Sequence, residues 1–135
     1  MTKLTIPQEE LIISTISEAV SRSITLAEVL TEVNKAENAR NIIALNEINN
    51  YYLIAKTGYY LKVDEPSMIY IDLFNIFDKL YLELRHALAY DNGKLNHPEE
   101  FSGLLNDVRH YFETLNSAFV ERKNTYLQKG LSAND

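Results

Sequence analysis

The chain has 135 residues, 13 Lys and Arg against 19 Asp and Glu, and a formal charge of −6. It contains no cysteine and no tryptophan, and 46% of its residues are hydrophobic. This excludes a disulfide framework, a thiolate zinc site and a cysteine nucleophile, and it argues against wholesale disorder. The length predicts one domain over residues 1–129, with residues 130–135 as a disordered tail.

Proline and glycine divide the chain into helices. The first, over Gln8–Ser23, follows Pro7 and carries Leu11, Ile12, Ile16, Ala19 and Val20 at helical spacing. The second runs from Thr25 to Thr57, with Thr25 and Glu28 as a capping box. Its apolar stripe fades over Asn34–Asn38 and resumes at Ile42, Ile43, Ile48, Tyr51, Tyr52 and Ala55. This segment is either one helix of roughly 50 Å or two with a break near Asn34–Asn41, and the single long helix is the expectation. Gly58 reads as a C-cap and Tyr59–Val63 as a connection.

The third helix, Ser67–Tyr90, has two adjoining stripes, one through Ile69, Leu73, Ile76, Leu80, Leu84 and Leu88, the other through Tyr70, Phe74, Phe77 and Tyr81. Such a helix is central in a bundle or covered by a partner. The fourth, Glu99–Lys129, has the cleanest stripe: Phe101, Leu105, Val108, Phe112, Leu115, Phe119 and Tyr126. The fold class is therefore all-α, an antiparallel helical bundle of four or five helices.

No apolar run approaches the ~18 residues of a membrane span, and the N-terminal residues lack a secretory h-region, so a cytoplasmic location is expected. The acidic balance disfavours non-specific nucleic-acid binding, and no helix carries a Lys/Arg face suited to a DNA groove. Glu83/His86 and Asp107/His110 each place a carboxylate and an imidazole three residues apart, like half of a di-iron site. In an antiparallel pair the two histidines would sit on the order of 10 Å out of level, so no metal and no cofactor is expected. Nucleophile-elbow and phosphate-loop motifs are absent.

The end of the third helix reads Leu84-Arg85-His86-Ala87-Leu88-Ala89-Tyr90-Asp91-Asn92-Gly93. This stretch, between a long apolar helix and a final amphipathic one, resembles the HEPN domain, a helical bundle of prokaryotic ribonucleases, toxin–antitoxin pairs and phage-defence systems. The family signature is an arginine followed by Asn, Asp or His, with a histidine four to six residues further on. Arg85 and His86 match its first positions, and Tyr90 stands where the closing histidine would be. The resemblance implies a homodimer whose cleft gathers Arg85, His86 and Tyr90, the arginine holding a phosphate. Tyrosine, with an ordinary pKa near 10, is a poor base at neutral pH. The departure therefore points to binding over catalysis.

Three functions follow as expectations. The first is a non-catalytic, HEPN-like homodimeric binding module in prokaryotic or phage defence or toxin–antitoxin biology. The second is a metal-independent HEPN-type endoribonuclease acting on RNA. The third is an acidic immunity protein, antitoxin or inhibitor that meets a partner with a basic surface. Tyr51, Tyr52, Tyr59, Tyr60, Tyr70, Tyr81 and Tyr90 cluster in the middle of the chain, either capping the core or lining an interface.

Overall fold

The computed structural model describes residues 4–31, 38–90, 94–95 and 97–130, with the side chains of Thr31, Asn38 and Tyr90 outside the description. Four helices form, α1 (Ile6–Thr31), α2 (Asn38–Lys62), α3 (Met68–Tyr90) and α4 (Pro98–Gln128). No strand occurs among the described residues. They make an all-α bundle in which α1 and α2 pack together, α3 and α4 pack together, and α1/α4 and α2/α3 close the ring.

The start of α1 is set by a capping box that the sequence reading placed elsewhere. The Thr5 N–H donates to Gln8 Oε1 at 3.0 Å, and the Gln8 N–H donates to Thr5 Oγ1 at 3.2 Å. Thr25 is not a cap: it lies inside α1, and its hydroxyl donates to the Ser21 carbonyl at 3.3 Å. Ser23 does not end the helix either. It is buried, and its Oγ bonds back to the Ala19 carbonyl at 2.7 Å, so its polar group is satisfied within the turn.

The single long helix over 25–57 is also corrected. Arg22 Nη1 lies 2.6 Å from Glu47 Oε2. In one continuous helix these residues would be about 37 Å apart at 1.5 Å per residue. The chain therefore folds back between α1 and α2 rather than continuing as one helix, and residues 32–37 lie outside the described residues.

Gly58 is no C-cap, and Tyr59–Lys62 is no connection, because α2 continues through both to Lys62. The reason is tertiary: Tyr59 is buried and stacks on Tyr70 of α3 at 3.9 Å between ring centroids. Its hydroxyl accepts the Ser67 N–H at 2.8 Å, which holds the last turn of α2 against the start of α3. Gly93 and the tail 131–135 lie outside the described residues. Gly130 does end α4, with φ +68° and its N–H donating to the Leu127 carbonyl at 3.2 Å.

The core sits between both helix pairs. Helix α3 contributes Tyr70, Leu73, Phe74, Phe77, Leu80, Leu84 and Ala87, all buried, so its double stripe marks a central helix. Helix α4 buries Phe101, Val108, Leu115 and Phe119, four of the seven members of the expected stripe. Among the described residues no helix is long and apolar enough to cross a membrane.

Candidate functional site

Arg85 and His86 lie in the last two turns of α3, both exposed, while Leu84 and Ala87 beside them are buried. Successive helical residues point about 100° apart, so both fall on the outward arc, with Leu82, also exposed, one turn earlier. Tyr90 ends the helix, and its side chain lies outside the described residues. The structure thus places Arg85 and His86 side by side on a solvent face.

The metal-like pairs are similarly placed. His86, Asp107 and His110 are exposed and Glu83 is half-buried. Among the described residues, no three carboxylate or imidazole groups gather where they could hold a metal ion.

Three of the clustered tyrosines belong to the core, while Tyr60 is exposed. Tyr52, Tyr59 and Tyr70 are buried, and each hydroxyl is used internally. The Tyr52 hydroxyl donates towards Asp78 Oδ1 at 2.6 Å and the Phe74 carbonyl at 2.8 Å, and Lys56 Nζ lies 3.3 Å from the same carboxylate. The Tyr70 hydroxyl donates to Glu9 Oε2 at 2.7 Å. Arg122 pairs with the other oxygen of Glu9, and Lys123 reaches Glu10 at 2.7 Å. Burial pushes the Tyr52 and Tyr70 phenols well above their ordinary range, with the Asp78 carboxylate adding to the effect at Tyr52. The Glu9 network joins α1, α3 and α4 at one end of the bundle, and the Tyr52–Asp78 contacts join α2 to α3 at mid-length.

The surface feature missed by the sequence reading is on α2. Its inner face buries Asn41, Leu45, Ile48, Tyr52, Ala55 and Tyr59. Its outer half nonetheless exposes Ile42, Ile43, Leu53, Ile54, Tyr60 and Leu61. Ile42 and Ile43, expected in the core stripe, are 48% and 59% exposed; Ile54 and Leu61 reach 64% and 80%. The signal was present as apolar residues all round the helix, where a surface helix is usually one-sided.

Beside this face runs a shallow groove of about 460 Å³ lined by Arg22, Glu47, Asn50, Tyr51 and Ile54. The Arg22 guanidinium closes one side, paired with Glu47 and Glu18 and lying 5.0 Å over the Tyr51 ring. The groove offers one aliphatic side chain, Ile54, one aromatic ring, Tyr51, one carboxamide, Asn50, and the internally neutralised Arg22–Glu47 pair. That chemistry suits a packed side chain better than a phosphate or a reacting substrate.

In comparisons with known proteins, no family model, curated protein or solved structure matches this chain.

Proposed function

We propose that this chain is a helical binding module whose working surface is the outer face of α2. The supporting observation is the exposure of six large apolar side chains on one 25-residue helix. Leu53, Ile54, Tyr60 and Leu61 lie within three turns of one another, beyond the exposed polar Asn46, Glu47 and Asn50 that separate them from Ile42 and Ile43, and apolar side chains exposed together in this way mark interaction sites. Covering aliphatic surface is favourable by roughly 25 cal/mol per Å², enough to drive association without charge. In this reading the likeness of Arg85-His86 to the HEPN signature fits a non-catalytic relative, because Tyr90 replaces the proton-transfer group.

The test is site-specific photo-crosslinking in producing cells, with a benzophenone amino acid at Leu61 on α2 and at Thr114 on α4. Both positions are exposed. A discrete adduct from position 61 and none from 114 is the expected result. No adduct at 61, or equal smears at both, contradicts the reading.

A second reading is the HEPN-type ribonuclease, favoured by Arg85 and His86 lying together on an exposed face, as a two-protomer cleft would need. Its test is incubation with a mixed single-stranded RNA pool. Cleavage that disappears in Arg85→Ala supports it, and intact RNA removes it.

A further inference from the structure

The inference rests on the α2 face as the working surface and names what meets the edge of that face turned towards α3. We propose that the seam between α2 and α3 docks a helix of an acidic partner protein, with an apolar side chain seated between Leu53 and Leu82 and a carboxylate, one turn along, held by Arg85 and Asn49.

One ion pair fixes the register of the seam. Lys56 Nζ lies 3.3 Å from Asp78 Oδ2, and Tyr59 stacks on Tyr70, so α2 and α3 run antiparallel. Leu53 stands three residues before Lys56 and Leu82 four after Asp78, which sets the two leucines level across the seam to within about 1.5 Å. Both are 47% exposed. Asn49 stands seven residues before Lys56 and Arg85 seven after Asp78. Seven residues make nearly two whole turns, so both keep the direction of the ion pair and face one another about 10 Å further along.

Charge selects the occupant. Helix α2 carries Arg40, Lys56 and Lys62 against Glu47 alone, and Glu47 turns to the α1 side, where Arg22 holds it. Among the described residues the carboxylate on this seam is Asp78, taken by Lys56 and by the Tyr52 hydroxyl. Glu83, two residues before Arg85, lies about 160° round the helix from it. Arg85 is exposed and has no ion pair among the described residues. In a chain of −6 the seam therefore has a positive excess, which a carboxylate complements and a basic partner does not.

Spacing selects a helix. The leucine pair and the Arg85–Asn49 pair are three or four residues apart, about 5–6 Å, close to the 5.4 Å pitch at which a docked helix repeats one face. Nucleic acid fits less well. It offers no aliphatic group to Leu53 and Leu82, and the exposed Tyr60 ring lies beyond Lys56, on the far side from Arg85.

The probes are two fluorescein-labelled helical peptides of about 18 residues. One has leucines on one face with glutamates one turn along, and the other has lysines in place of the glutamates. Anisotropy titrations use the purified full-length chain, Arg85→Glu, Leu82→Asp and Lys79→Glu. Lys79 is exposed on the same helix, about 120° from Arg85, so its variant makes the same change in net charge off the seam. The proposal expects saturable binding of the glutamate peptide with Kd below about 1 mM, about tenfold tighter than the lysine peptide. Arg85→Glu and Leu82→Asp should each weaken it about tenfold and Lys79→Glu less than about twofold. Arg85→Glu should also bind the lysine peptide more tightly than the unaltered chain does, a gain that misfolding cannot produce. No saturable binding up to about 1 mM, equal affinity for the two peptides, or equal losses in Arg85→Glu and Lys79→Glu overturns the proposal. A labelled single-stranded RNA that binds more tightly than the glutamate peptide, and through Arg85, overturns it in favour of nucleic acid. A discrete adduct from Leu61 in cells, beside peptides bound without regard to charge, defeats the acidic occupant and leaves the α2 face standing.

Discussion

The Tyr70 hydroxyl donates to Glu9 Oε2 at 2.7 Å across 61 residues of sequence, joining the first turns of α1 and α3. The Glu9 side chain is only 8% exposed, and its other oxygen takes Arg122 from the last turns of α4. One carboxylate thus ties three helices at one end of the bundle. Losing a buried hydrogen bond to a charged acceptor costs about 1.5–3 kcal/mol.

Tyr70→Phe and Glu9→Ala are each expected to lower unfolding stability by about 2 kcal/mol, because each breaks the same buried bond. Arg122→Ala should cost less, since its side chain is 49% exposed and water screens the pair. Combining Tyr70→Phe with Glu9→Ala should cost less than the sum of the two. Urea denaturation of these four variants beside the unaltered chain measures this, and full additivity of Tyr70→Phe and Glu9→Ala would contradict the network.

Alkaline pH should unfold the protein early. Tyr52 and Tyr70 hold their phenols above the ordinary range in the fold, through burial first and, for Tyr52, through Asp78 second. A raised folded pKa gives stability that is complete below the unfolded value, about pH 10, and is lost as pH rises above it. Melting temperature should therefore be flat to about pH 9 and fall steeply beyond about pH 10. The fall should be shallower in Tyr52→Phe, which has one less such phenol to ionise. Absorbance at 295 nm should show these tyrosines ionising only with unfolding. A pH-independent melting temperature to about pH 11 would contradict the buried hydroxyl assignments.

Gly58→Ala should stabilise the protein by about 0.5–1 kcal/mol. Glycine weakens a helix interior by this amount relative to alanine, and an added Cβ at Gly58 meets nothing within 4 Å. Were Gly58 a left-handed cap, as its position in the sequence suggests, the same change would destabilise. Thermal melts of the two proteins separate these outcomes.

Much of the fold was legible because apolar spacing survives in the sequence. The α3 and α4 stripes predicted from spacing contain their buried residues, from Leu73 to Leu84 and from Phe101 to Phe119. The errors cluster where local signals compete with tertiary contacts. Thr25, Glu28 and Ser23 have the composition of a helix boundary, yet Ser23 is buried with its hydroxyl satisfied inside α1. Gly58 resembles a stop, yet the stacking of Tyr59 on Tyr70 carries α2 one turn further. The α2 face was not legible for a related reason. Its residues Ile42 and Ile43 look like core from periodicity alone, and only the packing of α1 and α3 on the other side reveals which half stays open.

The measurement that tests the assignment of the α2 face most directly is photo-crosslinking in producing cells from Leu61 on α2 beside Thr114 on α4, both exposed. A discrete adduct from 61 that Ile54→Asp abolishes, with none from 114, is the expected result. No adduct from 61, or equal smears at both positions, would contradict the assignment of the outer face of α2 as the working surface.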